Sequence, residues 1–182
     1  MKLINSLIAI TVALIFLGAK QWDGSKNETS NQNETKAYFL KAKVNGIWTE
    51  FNDADQLSAS FGPYIDNVYD GVLSASKADE EDSSVLNSMS IIIRQTGKIG
   101  VGSYSGGKQF EYGFKGVTLA YMDASESSMY ITDVTNPDSF LKINELTETF
   151  IKGTFSGALI NPVNRRKIAI TDGEFFIKSE QY

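Results

Sequence analysis

The feature that most constrains this chain is an alternation of apolar and polar residues in two neighbouring stretches, residues 150–160 and 167–178. In the first stretch Ile151, Phe155 and Leu159 share one side, with glycines between them. A period of two is the pattern of a β-strand that is buried on one face. Because only a short connection separates the two stretches, we predict a long β-hairpin near the C-terminus.

The second stretch of this hairpin changes parity partway along. Ile170 and Phe175 must both face the core, although an even number of residues lies between them, which puts them on opposite faces of a regular strand. One extra residue therefore has to be absorbed between them. We predict a β-bulge at Asp172-Gly173, because glycine tolerates the left-handed backbone that a bulge needs. The alternative is a plain turn at this place between two shorter strands.

Composition limits the chemistry that the chain can perform. The 182 residues include no cysteine and no histidine. The chain therefore has no disulfide and no thiolate nucleophile, and it lacks the commonest general base and metal ligand. We expect no cofactor and no metal site. The formal net charge of −5 argues against nucleic acid as a partner, since an acidic protein repels the phosphate backbone.

The first 20 residues are typical of a targeting segment. Lys2 is followed by an uncharged apolar run, residues 7–17, which ends before Gly18-Ala19. A basic start and an apolar run of this length predict a secretory signal peptide over residues 1–20, and hence a periplasmic, cell-surface or secreted protein. An uncleaved membrane anchor is the alternative, since about 17 apolar residues are the lower limit for a spanning helix.

The residues after this leader change abruptly in composition. Trp22 is the only large apolar residue in the polar stretch 21–36. Such a stretch buries too little apolar surface to order itself, so we predict a disordered polar tether. Residues 37–182 have the length of one domain, and we expect a single antiparallel β domain there.

A second hairpin is predicted at the start of this domain, where residues 38–44 and 47–51 flank Asn45-Gly46. Asn-Gly is a strong signal for a type I′ turn, because both turn residues need positive φ. An opposite-charge pair and a lysine beside an indole support the register that a two-residue turn imposes. Its pairs are Leu40–Phe51, Ala42–Thr49 and Val44–Ile47 on the buried side, and Lys41–Glu50 and Lys43–Trp48 on the other.

More short strands are predicted between the two hairpins, separated by polar or glycine-containing turns. No stretch after the leader shows an apolar face at helical spacing over three turns. Short strands with short connections are typical of an all-β domain, and we predict an antiparallel β-sandwich or a flattened β-barrel. The strands are expected at residues 68–76, 88–95, 110–114, 117–122, 129–134 and 141–146.

Two other patterns look like ligand motifs but lack the spacing that the chemistry needs. Residues 77–84 contain consecutive acidic residues, without the alternating ligands of a calcium-binding loop. Residues 97–107 are rich in glycine, but no helix follows that could hold a phosphate group. We interpret the first as a solvated loop and the second as strand corners and turns.

Four short sequences occur in order along the domain: NGIWT at 45–49, GVGSY at 100–104, GTFSG at 153–157 and ITDGEF at 170–175. Together they resemble a pattern in small secreted lipoproteins of Bacteroidota-type bacteria, a family of unknown function. The resemblance implies an envelope-facing β domain, which is usually lipid-anchored. The chain departs from the family at Lys20, where lipidation would require cysteine.

The function that these features favour is a non-catalytic binding or scaffold module outside the cytoplasm. Its partner would be a glycan, a peptide or another envelope protein. Exposed aromatic side chains would form the ligand platform, because their flat faces supply contact area at little entropic cost. The candidates for this platform are Tyr104, Tyr112 and Tyr121.

Two alternative functions fit the same fold class. A lipocalin-like carrier would need an apolar interior with room for a small ligand. A glycan-active enzyme would need only two converging carboxylates. We do not expect an enzyme, because the sequence does not indicate which acids would converge. The strand-associated acids are Asp70, Glu111, Asp133, Glu145 and Glu174.

Overall fold

A computed structural model describes residues 38–51, 56–78, 86–106 and 115–181 of the chain. All the described residues belong to one compact unit, Tyr38–Tyr182. The predicted leader and tether, most of the acidic loop and the strand expected at 110–114 lie outside the described residues. Within the described part, no helix is long and apolar enough to cross a membrane.

The described residues form strands and connecting turns, and none of them is helical. The predicted all-β class is thereby confirmed. The strands are β1 (Phe39–Val44), β2 (Ile47–Phe51), β3 (Ser58–Ile65), β4 (Val68–Ala78), β5 (Leu86–Thr96), β6 (Gly102–Gly106), β7 (Lys115–Asp123), β8 (Ser128–Thr132), β9 (Asp138–Leu146), β10 (Phe150–Ile160) and β11 (Lys167–Gln181).

All these strands join one sheet in the order β2-β1-β11-β3-β4-β5-β7-β6-β9-β10-β8. Two further pairings, β10 with β11 and β7 with β8, connect strands that are apart in this order. The arrangement is not a regular barrel, because β1 and β3 share one side of β11 along its length and β2 lies outside β1. Most pairings are antiparallel as predicted, but β3 pairs with β11 and β6 with β7 in parallel.

The β1–β2 hairpin has the predicted turn and register. Asn45 and Gly46 both have positive φ, 49° and 84°, and all five predicted residue pairs are present. Leu40 and Phe51 are fully buried. The prediction was wrong for Ile47, which is 72% exposed, because the end of the hairpin next to the turn extends past the core.

The β10–β11 hairpin and its bulge are also confirmed. Ser156 of β10 faces two residues of β11, because the register shifts between Phe155 and Gly157. The shift recurs on the other side of β11, against β1. The left-handed residue is Asp172, with a φ of 52°, so the aspartate and not the glycine adopts the conformation that we assigned to glycine.

Gly173 is required for a different reason, namely space. A Cβ atom on Gly173 would overlap the backbone oxygen of Phe155 and lie 2.7 Å from its ring. The bulge thus brings two backbones together where no side chain fits. With the shift absorbed, Ile168, Ile170, Phe175 and Ile177 are all buried.

The interior of the sheet is filled by large side chains from every strand pair. Aromatic, methionine and branched aliphatic residues meet there, as close packing requires. The largest fully buried ones are Tyr104, Tyr130, Phe51, Phe175, Leu40, Leu73, Met89, Ile91, Ile93, Leu119, Leu141 and Ile143.

Substitution of Gly173 by alanine is expected to lower the free energy of unfolding by about 1–3 kcal/mol, because the added methyl group must displace the β10 backbone. Gly62→Ala is the matched control, since a Cβ at Gly62 in β3 meets no heavy atom within 4 Å. Urea unfolding followed by far-UV circular dichroism measures both variants. Equal stability of the two variants would contradict the packing role of Gly173.

Candidate binding surface

The structure buries the two predicted platform residues that it describes. Tyr104 on β6 is 1% exposed and Tyr121 on β7 is 5% exposed, so neither ring can present a face to solvent. Tyr121 instead packs edge-on against Phe51, with ring centroids 6.3 Å apart. Tyr112 lies outside the described residues. The exposed platform therefore does not include Tyr104 or Tyr121.

Tyr104 fixes the glycine-rich segment that precedes β6. Its hydroxyl donates to the carbonyl of Gly100 at 2.7 Å and accepts the Gly100 amide hydrogen at 3.1 Å. The ammonium of Lys115 lies 4.2 Å from the ring centroid. Burial raises the pKa of Tyr104 above its ordinary value, although the hydrogen bond to Gly100 opposes this. The contacts are those of a structural residue.

The acids that an enzyme would need are mostly paired with cations. Asp70 accepts two hydrogen bonds of 2.6 Å from Arg94. Glu174 lies 3.2 Å from Lys41. Glu145 is exposed on β9, opposite Lys152 in the register, and Glu111 lies outside the described residues.

Asp133, after β8, is held in its ionised form. The Thr135 hydroxyl donates to it at 2.7 Å and the Thr135 amide at 3.0 Å, and Arg165 lies 3.3 Å away. These contacts, the Thr135 hydrogen bonds above all, lower the pKa of Asp133. A general acid needs the opposite shift. Among the described residues, no three acids lie close enough together to hold a metal ion.

Exposed and half-buried aromatic residues do lie together on one surface, the outward side of β1, β2, β10 and β11. We call this surface the aromatic face. The Phe176 ring lies 4.9 Å from Tyr38 and 5.2 Å from Phe150, centroid to centroid. Trp48 is 53% and Tyr38 is 38% exposed. The members of the aromatic face are Tyr38, Phe39, Trp48, Phe150 and Phe176.

Two lysines of β1 lie over aromatic rings of this face, those of Phe39 and Trp48. The Lys43 ammonium lies 5.1 Å from the Trp48 ring, and the Lys41 ammonium lies 5.2 Å from Phe39 and 5.7 Å from Trp48. Each lysine also pairs with an acid of β11, Lys41 with Glu174 and Lys43 with Asp172 at 3.0 Å. The predicted Lys41–Glu50 neighbours are in register, but the ion pair of Lys41 forms with Glu174.

The sequence contained the signal for the aromatic face. In the predicted registers Trp48 and Phe150 point away from the core, and the parity of Phe175 and Ile177 places Phe176 outward. Tyr104 and Tyr121 are candidates by residue type alone, because no predicted strand register shows on which side of the sheet their side chains lie. Outward parity was the better criterion, because an inward aromatic ring is ordinarily a core residue.

Two further exposed aromatic residues of the described part lie elsewhere, Tyr64 on β3 and Phe140 on β9. Tyr64 is 60% exposed, and the Arg94 guanidinium lies 4.1 Å from its ring centroid. Next to it an open groove of about 190 Å³ is lined by Phe61, Pro63, Val72 and neighbouring residues. Asp70 occupies the Nε and Nη2 edge of the Arg94 guanidinium, so this edge is not available for an anionic ligand.

The chain was compared with protein-family models, with curated proteins and with solved structures, and none of the three comparisons found a match.

Burial of Tyr121 should make stability depend on pH in the alkaline range. Burial raises the pKa of Tyr121 from 10.0 to about 12. The unfolded chain then loses this proton near pH 10, whereas the folded chain keeps it, so stability falls as the pH rises from about 10 to 12. Tyr121→Phe should remove about 2–3 kcal/mol of this decrease by pH 12.

Urea unfolding of the wild type and Tyr121→Phe at a series of alkaline pH values tests this expectation. Tyr64→Phe is the control, because it removes the hydroxyl of an exposed tyrosine instead of a buried one. If Tyr121→Phe loses stability with the wild-type slope, Tyr121 ionises equally in the folded and unfolded chain.

Proposed function

We propose that the protein is an exported, non-catalytic binding module whose partner is another protein, held at the aromatic face. The observation that carries the proposal is Trp48, which is 53% exposed on the same outward side of the sheet as the contacting rings of Tyr38, Phe150 and Phe176. Burial of such rings stabilises a folded chain. A surface that leaves them partly in water is therefore a place where a partner gains affinity.

The composition of this surface matches a protein interface. Tryptophan and tyrosine dominate the binding energy at interfaces, and charged residues usually surround them. Here the ion pairs Lys41–Glu174 and Lys43–Asp172 lie beside the rings, on the same outward side. The side chains of these four residues are 34–57% exposed. The registers place the Lys41–Glu174 pair between Trp48 and Phe176, so the surface combines charged and aromatic groups.

A glycan is the less favoured partner for the same surface. Stacking on a sugar needs a free, flat ring face. The Trp48 ring has two lysine ammonium groups within 6 Å of it, and the Phe150 and Phe176 rings are inclined at 71° to each other. This arrangement favours a partner with an irregular, partly charged surface.

We further propose that the sheet is a flattened barrel with a filled interior. Strand pairings lead from β11 through β10, β9, β6, β7, β5, β4 and β3 back to β11. Large side chains occupy the core inside this circuit. The packed core argues against a lipocalin-like carrier and favours a binding site on the outer surface.

Export is part of the proposal and is supported by the sequence of residues 1–20. A signal peptide or an anchor there, with the tether 21–36, would place the domain outside the cytoplasm. The resemblance to secreted lipoproteins of Bacteroidota-type bacteria points to the same location, at the cell envelope. Residues 1–37 lie outside the described part of the chain.

Trp48→Ala is expected to weaken partner binding at least tenfold, since a central tryptophan contributes about 2 kcal/mol or more. The chain has two tryptophans, so a Trp22→Phe background leaves Trp48 as the single fluorescent reporter. A phage-displayed random peptide library and a polysaccharide array supply the probes. We expect peptides to be enriched, to shift the Trp48 emission and to lose affinity for Trp48→Ala.

Tyr64→Ala is the control for this experiment, because Tyr64 is an exposed aromatic residue on another strand. It should bind the selected peptides like the parent chain. Binding of polysaccharides without peptides would assign the face to glycans. Loss of binding in Tyr64→Ala but not in Trp48→Ala would move the site to the β3–β4 groove.

A further inference from the structure

The edge of the sheet next to the aromatic face is open. Among the strands in the described part of the chain, β2 alone pairs on one side only, with β1. An unpaired edge presents a row of backbone donors and acceptors that another extended chain can use. Proteins usually protect such an edge with proline, lysine or a bulge. β2 has the sequence IWTEF and an uninterrupted register, so it has no proline, lysine or bulge, and Glu50 is its only charged residue.

The turn geometry identifies which backbone groups are free. In a two-residue hairpin the residues that flank the turn exchange both backbone hydrogen bonds, and this pattern recurs at every second pair. The hydrogen-bonded pairs are therefore Val44–Ile47, Ala42–Thr49 and Leu40–Phe51. The amide and carbonyl groups of Trp48 and Glu50 point away from β1, toward the open side.

The side chains along this edge indicate what would lie beside it. Ile47 is 72% exposed on one face of β2 and Trp48 is 53% exposed on the other. Glu50 is exposed and forms no ion pair within the described residues, because Lys41 pairs with Glu174. An added strand with a basic residue opposite Glu50 would neutralise this carboxylate.

We propose that β2 is a strand-addition site, which takes an extended segment of a partner protein that carries lysine or arginine opposite Glu50. This inference rests on the proposed protein-binding function and specifies how the partner docks. The segment would form backbone hydrogen bonds with Trp48 and Glu50, as in other cases of β-augmentation. Its outward side chains would extend the aromatic face, and its inward ones would cover Ile47.

A designed peptide tests the proposal directly. In an antiparallel register, Thr-Lys-Val-Tyr-Val with blocked ends places lysine opposite Glu50, tyrosine opposite Trp48 and the last valine opposite Ile47. Hydrogen exchange followed by NMR on the ¹⁵N-labelled full chain is the primary measurement. On peptide addition, the amides of Trp48 and Glu50 should become protected, whereas those of Ile47, Thr49 and Phe51 are already protected by β1.

Backbone methylation supplies a control that leaves the protein unchanged. Methyl groups on the lysine and tyrosine amides of the peptide remove the donors that face β2, and affinity should fall about tenfold or more. A methyl group on the central valine amide, which faces away from β2, should change affinity less than threefold. Equal affinity of the two methylated peptides overturns strand addition.

A variant of the protein tests the same backbone hydrogen bonds by removing a donor from β2 instead of from the peptide. Glu50→Pro removes the outward amide of Glu50 without removing a hydrogen bond to β1, and proline is tolerated at such an edge position. Glu50→Gln removes the charge alone. We expect Glu50→Pro to abolish peptide protection of Trp48, and Glu50→Gln to weaken binding several-fold while the protection pattern persists.

The outcomes separate this inference from the function on which it rests. If selected peptides bind, depend on Trp48 and leave the Trp48 and Glu50 amides unprotected, the aromatic face is the site and strand addition is wrong. If the designed peptide does not bind at all, strand addition is also wrong. A dimer in analytical ultracentrifugation that Glu50→Pro dissociates would assign the edge to a second copy of the chain instead.

Discussion

The register of β11 is the constraint on which the rest of the structure depends. This strand pairs with β10 on one side and with β1 and β3 on the other, so an error in its register would displace three neighbours. A period of two cannot place both Ile170 and Phe175 in the core without an extra residue. The bulge at Asp172 supplies that residue, and it interrupts the pairing with β1 and with β10 at the same level.

The same bulge links the core to the outer surface. Since Phe175 turns inward after Asp172, Phe176 must turn outward, where it meets Tyr38 and Phe150. Asp172 itself pairs with Lys43, whose ammonium lies against Trp48. Exposed ion pairs of this kind contribute little to stability. Their more important effect is to orient the lysines over the indole, so that the aromatic face has a defined charge pattern.

Local sequence signals predicted the parts of the fold that depend on short-range geometry. Asn45-Gly46 fixed one hairpin register, and the parity change around Asp172 located the bulge. The parallel pairing of β3 with β11 brings together segments that are far apart in sequence, whereas that of β6 with β7 joins two consecutive strands. A tight turn can join only antiparallel strands, so no local turn signal specifies either parallel pairing. Tyr104 and Tyr121 were misplaced because no predicted register fixed which side of the sheet their strands turn inward; Tyr121 in fact faces Tyr130 across the β7–β8 hairpin.

The exposure of Trp48 separates the binding role that we propose for β2 from its role in folding. Phe51, on the same strand, is completely buried and anchors β2 to the core, whereas Trp48 and Glu50 face outward. A strand that is held at one end by a core residue can present its remaining backbone groups without losing its position. The conformational entropy of β2 is thus lost when the domain folds. A partner strand that pairs with β2 therefore binds at a smaller entropic cost. For this reason a short strand with little burial of its own can still act as a template.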